Sequence, residues 1–177
     1  YVYAQSVKNE VSVTQIFSSN YLEATLAKGL TFRQNVGISY YNNQREQYYP
    51  RSVYEGLSYL GLAYQSQGWY NSLTSESILN YSKTLGEHVL TFTGGATYED
   101  DQSTTKNQKA SNFVNDQLQE NNLAGGAQST YQLQNNRTKS NLVSFLARIS
   151  DTWKDRYLLT LSFRDDGTSK FARKNRW

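Results

Sequence analysis

Three pairs of strand-like segments, each joined by a very short polar turn, constrain the fold of this sequence more than any other feature. In chain order, the pairs are 21–27 with 30–41 through Lys28-Gly29, 69–83 with 88–99 through Leu85-Gly86-Glu87, and 141–150 with 157–164 through a turn that contains Lys154-Asp155. Two segments of matched pattern around such a turn are the sequence signature of a β-hairpin. The chain therefore predicts an antiparallel sheet built from hairpins.

Side chains alternate in character along these segments. One face of the second segment holds Leu30, Phe32, Val36, Ile38 and Tyr40, and the other holds Thr31, Arg33, Asn35 and Ser39. The third hairpin places Val143, Phe145, Ala147, Ile149, Tyr157, Leu159, Leu161 and Phe163 on one face and Ser144, Arg148, Ser150, Thr160, Ser162 and Arg164 on the other. Because successive Cβ atoms of a strand point to opposite faces, we expect one apolar face and one polar face that carries arginines.

Long polar connections separate the hairpins, over residues 45–68 and 100–139, and a polar tail begins at residue 165. Short turns thus alternate with long loops. This asymmetry is typical of outer-membrane barrels, which have tight periplasmic turns and long external loops. The pattern predicts an all-β fold, namely an antiparallel transmembrane β-barrel segment of six or seven strands with long extracellular loops.

Aromatic residues lie near both ends of the predicted strands. Tyr81, Trp153 and Tyr157 are near short turns, and Tyr40, Trp69, Tyr70 and Tyr98 are toward the long loops. Trp69 and Tyr81 are 12 residues apart, and a tilted strand needs about 9 to 11 residues to cross the hydrocarbon layer. The spacing favours two membrane-interface girdles, although aromatic residues also suit strands in general.

Composition excludes several classes of protein. The chain has no Cys, which excludes disulfides and thiolate metal sites. No apolar stretch approaches the roughly 20 residues of a membrane-spanning helix, whereas a mean hydropathy of -0.73 is compatible with barrel strands. The net charge of +3 comes from 18 basic and 15 acidic residues that are interspersed, which does not favour nucleic-acid binding.

The longest connection contains one candidate helix. Ser111 could cap a helix with Phe113, Val114, Gln117 and Leu118 on one stripe. We expect this stripe to pack on the loop beneath it, and docking to a partner is the alternative.

The segment 157–177, YLLTLSFRDDGTSKFARKNRW, resembles a barrel motif of SusC/RagA-type TonB-linked outer-membrane transporters. The matching residues are Arg164, Asp166, Gly167, Ser169, Lys170, Phe171, Asn175, Arg176 and Trp177. Thr168 stands where Ser is usual, and Arg173 is near a position often held by Gly. Segments 26–50 and 79–99 are similar to two further hairpins of the same family.

The resemblance implies nutrient import, of oligosaccharides or peptides, through a plugged 22-stranded barrel of Bacteroidetes type. It also implies a SusD-like surface lipoprotein as a lid, the TonB complex as the energy source acting through the plug, and outer-membrane lipid around the wall. We expect the chain to cross the bacterial outer membrane several times. The resemblance leaves open whether the transporter is a homodimer.

The sequence lacks a plug, a TonB-contacting segment, a closing C-terminal strand and a visible signal peptide. Six or seven strands cannot close such a wide barrel, and open sheet edges in lipid would leave backbone groups unsatisfied. We therefore expect residues 1–177 to be part of one TonB-dependent transporter barrel domain, without its plug and C-terminal strands.

No catalytic residue, metal ligand or cofactor site is predicted, and we expect no enzyme. His88 is the single histidine and has no nucleophile motif near it. Glu99-Asp100-Asp101 and Asp165-Asp166-Gly167 offer oxygen ligands for Ca²⁺ but lack the full spacing of a calcium loop. Solvated loop carboxylates are the favoured interpretation.

Two sets of residues are candidates for contact with cargo. In a barrel, Arg33, Arg148 and Arg164 would line the lumen and favour anionic or hydroxyl-rich cargo; pairing with acidic plug residues is an equal alternative. In the first long connection, exposed Tyr48, Tyr49 and Tyr54 could stack on sugars or contact peptide, although packing within the loop is the commoner use of such tyrosines.

Two other functions remain open. One is a soluble or secreted β-sandwich that binds carbohydrate through surface tyrosines. The other is a passive porin or a surface-assembly scaffold. Dependence on detergent would separate the sandwich from a barrel, and a TonB-contacting segment would separate import from passive passage.

Overall fold

The computed structural model describes residues 2–172, 174 and 176, and these residues form one sheet of six antiparallel strands in the order β1-β2-β3-β4-β5-β6. The strands are β1 Lys8–Ala27, β2 Leu30–Tyr49, β3 Leu62–Leu85, β4 His88–Ser111, β5 Gln132–Trp153 and β6 Tyr157–Thr168. Each strand is a hydrogen-bonded neighbour of the next in the chain, and the pairs β1–β2, β3–β4 and β5–β6 are the three predicted hairpins.

The helical segments of the described residues are short. They are α1 Val2–Ser6, α2 Tyr54–Leu57, and 3₁₀ segments at Gln119–Gly125 and Gln128–Thr130. In the described residues, none of the helices has the length and apolar content needed to span a membrane.

The three predicted turns are confirmed. Gly29 and Gly86 have positive φ values of 76° and 61°, which glycine adopts without a steric penalty. Lys154 and Asp155 also have positive φ, at 54° and 50°. Asp is among the residues that enter this region most readily, which explains why a turn without glycine can form there.

The strands are longer than predicted, because residues assigned to long connections continue the sheet. β2 extends to Tyr49 and β3 begins at Leu62, so the first connection covers only 50–61. β4 extends to Ser111 and β5 begins at Gln132. The added residues are mainly Asn, Gln, Ser, Thr and Lys. They pair by backbone hydrogen bonds, and they lack the alternation of apolar and polar side chains by which a strand is predicted from sequence.

The predicted helix after Ser111 is wrong. Asn112 has a φ of 59° and residues 113–118 are not helical. Phe113 is buried while Val114 and Leu118 are 88% and 59% exposed, so the expected stripe does not exist. Phe113 is the one residue of the predicted stripe that is buried.

The chain divides into two compact units. The long-loop unit comprises Tyr1–Ile16, Tyr40–Tyr70 and Gln102–Thr138, and the short-turn unit comprises Phe17–Ser39, Asn71–Asp101 and Lys139–Trp177. The long-loop unit has a small core of Tyr48, Ala63, Ala110 and Phe113, against which Leu123 packs.

The short-turn unit keeps its apolar side chains exposed. On β6, Leu159, Leu161 and Phe163 are 62%, 63% and 67% exposed. A soluble sandwich would bury such a face against a second sheet. A face of this kind needs an apolar phase or a partner to cover it.

Candidate functional site

The register between β5 and β6 separates two faces in the short-turn unit. Ala147, Ile149 and Trp153 lie opposite Phe163, Leu161 and Tyr157, respectively. The alternate pairs are Ser144 with Asp166, Arg148 with Ser162, and Ser150 with Thr160. These pairs define an apolar face and an arginine face, as the period-two pattern predicted.

On β2, the Arg33 side chain is held by neighbours on the arginine face. Its Nε donates to Asn35 Oδ1 at 2.9 Å, and its guanidinium carbon lies 3.9 Å from the centre of the Tyr21 ring. Asn35 Nδ2 in turn donates to Glu76 Oε2 on β3 at 2.8 Å. Glu23 adds an ion pair at 3.9 Å. The charge of Arg33 is therefore partly offset within the chain.

The other two predicted arginines differ in their partners. Arg164 Nε donates to Asp166 Oδ1 at 2.9 Å, and its Nη2 reaches Ser144 Oγ at 3.4 Å. Arg148 Nε donates to Ser162 Oγ at 3.0 Å. Within the described residues, no ion pair joins Arg148 to a carboxylate. Arg148 thus keeps more of its charge available than Arg33 or Arg164, and the lumen-facing role of all three remains a prediction.

An aromatic cluster lies beside two of the short turns. The His88 and Trp153 rings stack with their centres 5.9 Å apart and an interplanar angle of 10°. The centres of the Trp153 and Tyr157 rings are 5.5 Å apart. His88 Nδ1 is 2.8 Å from Asp151 Oδ2, and Lys154 Nζ is 5.2 Å from the Trp153 ring centre. His88 therefore packs against Trp153, which is one of the predicted girdle residues.

The long-loop unit also has two faces, and the β4–β5 connection covers one of them. Tyr48 is fully buried on this face, with its ring edge-on to Phe113 at 5.7 Å. Its hydroxyl donates to Asp116 Oδ1 at 2.6 Å. Burial, followed by the hydrogen bond to Asp116, raises the pKa of Tyr48 above its ordinary value. The expectation of an exposed Tyr48 is wrong, because Phe113 and Asp116 enclose it.

A buried ion pair holds the same connection. Glu120 is fully buried and its Oε1 accepts a hydrogen bond from Lys8 Nζ at the start of β1. Asn121 Nδ2 donates to the same oxygen at 3.1 Å, and Gln65 Nε2 donates to the Glu120 carbonyl at 2.9 Å. The hydrogen bond to Glu120 raises the pKa of Lys8. These contacts join the connection to strands β1 and β3.

The other two predicted tyrosines keep access to solvent. Tyr49 is half-buried, with its ring 6.4 Å from that of Tyr64 at an angle of 90°. Tyr54, in α2, is 86% exposed. Contact with cargo remains a prediction for both residues, whereas Tyr48 has no exposed ring to offer.

A polar cleft of about 320 Å³ lies in the long-loop unit, and the sequence patterns do not predict it. Its lining includes Arg45, Gln47, Tyr64, Asn107, Lys109 and Gln134. Most of these residues fall in segments that were assigned to loops. The available signal was the clustering of basic and amide residues in QREQ (44–47) and KNQK (106–109).

Two of the carboxylates that the sequence offers as possible Ca²⁺ ligands have other partners. Asp100 lies 2.9 Å from Lys139 Nζ, and Asp166 pairs with Arg164. In the described part of the chain, no group of three or more His, Cys, Asp or Glu side chains could hold a metal ion.

Sequence comparison identifies related proteins. Over 84% of its length, the chain is 31% identical to the TonB-dependent receptor P3 of Formosa agariphila. It is 29% and 26% identical to the TonB-dependent receptors P39 and P26 of the same organism, over 95% and 96% of its length. The chain belongs to the TonB-dependent receptors. It spans 15%, 16% and 17% of the lengths of P3, P39 and P26, respectively. No protein-family model matches the chain.

Solved structures share the fold of this receptor segment. The RagAB peptide transporter superposes with a TM-score of 0.88 at 20% identity, over 98% of this chain and 19% of that chain. BauA, the ferric preacinetobactin receptor from Acinetobacter baumannii, gives a TM-score of 0.58 at 11% identity, over 91% and 26%. The likeness confirms the predicted all-β fold of antiparallel barrel strands. The relatives are receptors and transporters rather than enzymes, in agreement with the prediction of no enzymatic activity.

The sequence motif that carried the resemblance is only partly described. Arg164 and Asp166 are paired, and Gly167 lies opposite Val143 in the β5–β6 register. Asn175 and Trp177, and the variant position Arg173, lie outside the described residues.

Proposed function

We propose that this chain forms part of the wall of a TonB-dependent importer that takes up nutrients across the bacterial outer membrane. The observation that carries the proposal is the β5–β6 register, which places the exposed Leu159, Leu161 and Phe163 on the face opposite Arg148 and Arg164. In the membrane, the apolar face would meet lipid, and the arginine face would meet the plug and the cargo. The similarity to TonB-dependent receptors is the reason for proposing that the TonB complex supplies the energy for transport.

The long-loop unit would add a polar cleft to this proposed wall. Side chains of a continuous strand alternate between faces. Counting in twos along β2 from Arg33 reaches Arg45 and Gln47, which line the cleft. Tyr48 falls on the alternate positions and is covered by the β4–β5 connection. Arg45 and Gln47 therefore occupy the positions of β2 that alternate with the covered Tyr48.

The proposed partners follow from the family resemblance. The TonB complex would act through a plug domain, and a SusD-like surface lipoprotein would close the passage from outside. The cargo would be an oligosaccharide or a peptide. RagAB is described as a peptide transporter, but at 20% identity it supports only the fold of this chain.

Uptake in cells tests the proposal. The full-length receptor gene is deleted and restored, and uptake of its cargo is measured with the TonB complex intact or removed. Uptake that requires both supports the proposal, and co-purification of a surface lipoprotein supports the lid. Uptake that persists without TonB would indicate a passive porin, and a full-length protein that stays monomeric without detergent would indicate a sandwich.

A further inference from the structure

The polar cleft of the long-loop unit is concave and positively charged. Arg45 on β2 and Lys109 on β4 both line it, and none of the described residues in its lining is Asp or Glu. Its volume of about 320 Å³ lies at the lower end of the range of small-molecule sites, roughly 300–1,000 Å³. The cleft can therefore hold one or two units of a longer ligand.

Both cations are held in place without a carboxylate. Arg45 Nε donates to Asn9 Oδ1 at 3.1 Å, which leaves the terminal guanidinium nitrogens available. Lys109 Nζ lies 5.3 Å and 5.4 Å from the ring centres of Tyr59 and Tyr64. Aromatic faces attract a cation but do not neutralise it.

Two acidic groups of the same unit have partners that do not line the cleft. Glu120 is paired with Lys8, and Asp116 interacts with Tyr48 and Arg51. Among the described residues, no ion pair involves Arg45 or Lys109. Two positioned cations without a carboxylate partner favour an anionic group on the ligand.

Amide groups supply the rest of the polar lining. Ser66 Oγ donates to Asn107 Oδ1 at 2.7 Å, which fixes the Asn107 amide and leaves its Nδ2 group to donate. Gln47 and Gln134 add further amides. An amide both donates and accepts, which suits the hydroxyl groups of a sugar.

The scarcity of apolar side chains argues against a peptide as the occupant. Peptide recognition relies on pockets for alternate side chains in addition to main-chain hydrogen bonds. Leu133 is the single aliphatic side chain among the described residues of the lining, and Tyr64 is the single aromatic one. A tyrosine ring beside amides is instead suited to the face of a sugar ring.

We propose that this cleft is a binding subsite for an acidic oligosaccharide, with a carboxylate or sulfate group between Arg45 and Lys109 and hydroxyl groups on the amides. The inference rests on the proposed function, because the ligand of the cleft is taken to be the cargo of the importer. It adds the charge and chemical class of the cargo, which the kinship with TonB-dependent receptors does not supply.

Binding to the full-length receptor in detergent tests the inference. Titration calorimetry compares a panel of uronate-containing and sulfated oligosaccharides with neutral oligosaccharides and acidic peptides of matched length. We expect an acidic oligosaccharide to bind most tightly and its affinity to fall as salt increases. The double substitution Arg45→Gln and Lys109→Gln should weaken this binding by about 10- to 100-fold, the range expected for loss of charged hydrogen bonds.

Arg137→Gln is the matched control. Arg137 Nη2 donates to Gln102 Oε1 at 2.8 Å, and Arg137 does not line the cleft. This variant removes one positive charge from the same unit and should leave affinity unchanged.

Three results would overturn the inference. They are tighter binding of a neutral oligosaccharide or a peptide, no binding of any acidic oligosaccharide, and unchanged affinity in the double variant. The proposed function is judged separately by uptake. TonB-dependent uptake of a neutral sugar or a peptide would retain the importer and reject the acidic subsite, whereas TonB-independent uptake would reject the importer.

Discussion

The hydroxyl of Tyr48 donates a hydrogen bond of 2.6 Å to Oδ1 of Asp116, 68 positions later in the chain. The bond joins the end of β2 to the β4–β5 connection. Arg51 reinforces it, because its guanidinium lies 3.4 Å from Asp116 and also donates to the Phe113 carbonyl. The buried Tyr48 thus helps to hold the β4–β5 connection, in which the sequence predicts a helix that does not form.

Tyr48→Phe should loosen this connection. The substitution keeps the ring on Phe113 but removes a donor to Asp116, and a buried acceptor left with fewer partners costs about 1–3 kcal/mol. Hydrogen exchange of the amides in 112–118 of the full-length receptor should become faster. Tyr49→Phe is the control, because the Tyr49 hydroxyl accepts a hydrogen bond from Gln47 Nε2 at 3.2 Å, outside the β4–β5 connection. Equal exchange in the two variants would contradict the role of Tyr48.

Alkaline pH should release the same connection. The pKa values of Tyr48 and Lys8 are raised above ordinary values of 10.0 and 10.5. The docked connection therefore retains protons that the undocked connection would release, so its stability is complete below about pH 10 and falls above it. Cleavage within 112–131 by an alkaline protease should therefore increase above about pH 10. Tyr48→Phe should show a shallower dependence, and a pH-independent rate would refute the coupling.

The buried ion pair should show strong coupling between its partners. Lys8→Met would leave the Glu120 carboxylate buried without its cation, which is unfavourable. Adding Glu120→Gln removes that charge, so the double variant should resist proteolysis of 112–131 better than Lys8→Met alone. Lys106→Met provides a control, because the Lys106 ammonium is 5.3 Å from the Trp69 ring centre. Additive losses in the double variant would contradict a direct pair.

Gly29 should tolerate substitution less well than Gly86. Both are at hairpin turns with positive φ, so Ala adds backbone strain at either position. A Cβ at Gly29 would also lie 2.2 Å from the Ser82 carbonyl oxygen, whereas a Cβ at Gly86 meets nothing within 4 Å. Gly29→Ala should therefore give the larger fall in the unfolding temperature of the heat-modifiable receptor. Equal falls would show that the contact with β3 does not matter.

The hairpins were predictable because their determinants are local. Turn chemistry at Gly29 and Gly86 and the alternation of Phe163 with Arg164 are visible within a few residues. Such signals do not depend on knowing which distant segments meet.

The long-loop unit was not predictable for the opposite reason. Its core depends on Tyr48 and Phe113, which are distant in sequence, and on Glu120, which a local pattern would assign to solvent. The cleft residues Arg45 and Lys109 belong to strands with polar side chains on both faces, where period-two alternation of hydropathy disappears.

Strands β5 and β6 are proposed to form a barrel wall whose apolar face meets lipid and whose arginine face meets water. The accessibility of single cysteines tests this arrangement most directly. This chain has no Cys, so single cysteines can be placed at neighbouring positions of β5 and β6 in a full-length receptor that is free of other cysteines. Arg148 and Ser162 are paired on the arginine face, and Ile149 and Leu161 are paired on the apolar face. In outer-membrane vesicles, a small charged thiol reagent should label cysteines at 148 and 162 and leave those at 149 and 161 unlabelled, although all four react after denaturation. Equal labelling of the two pairs, or the reverse pattern, would contradict a barrel wall with lipid on the apolar face.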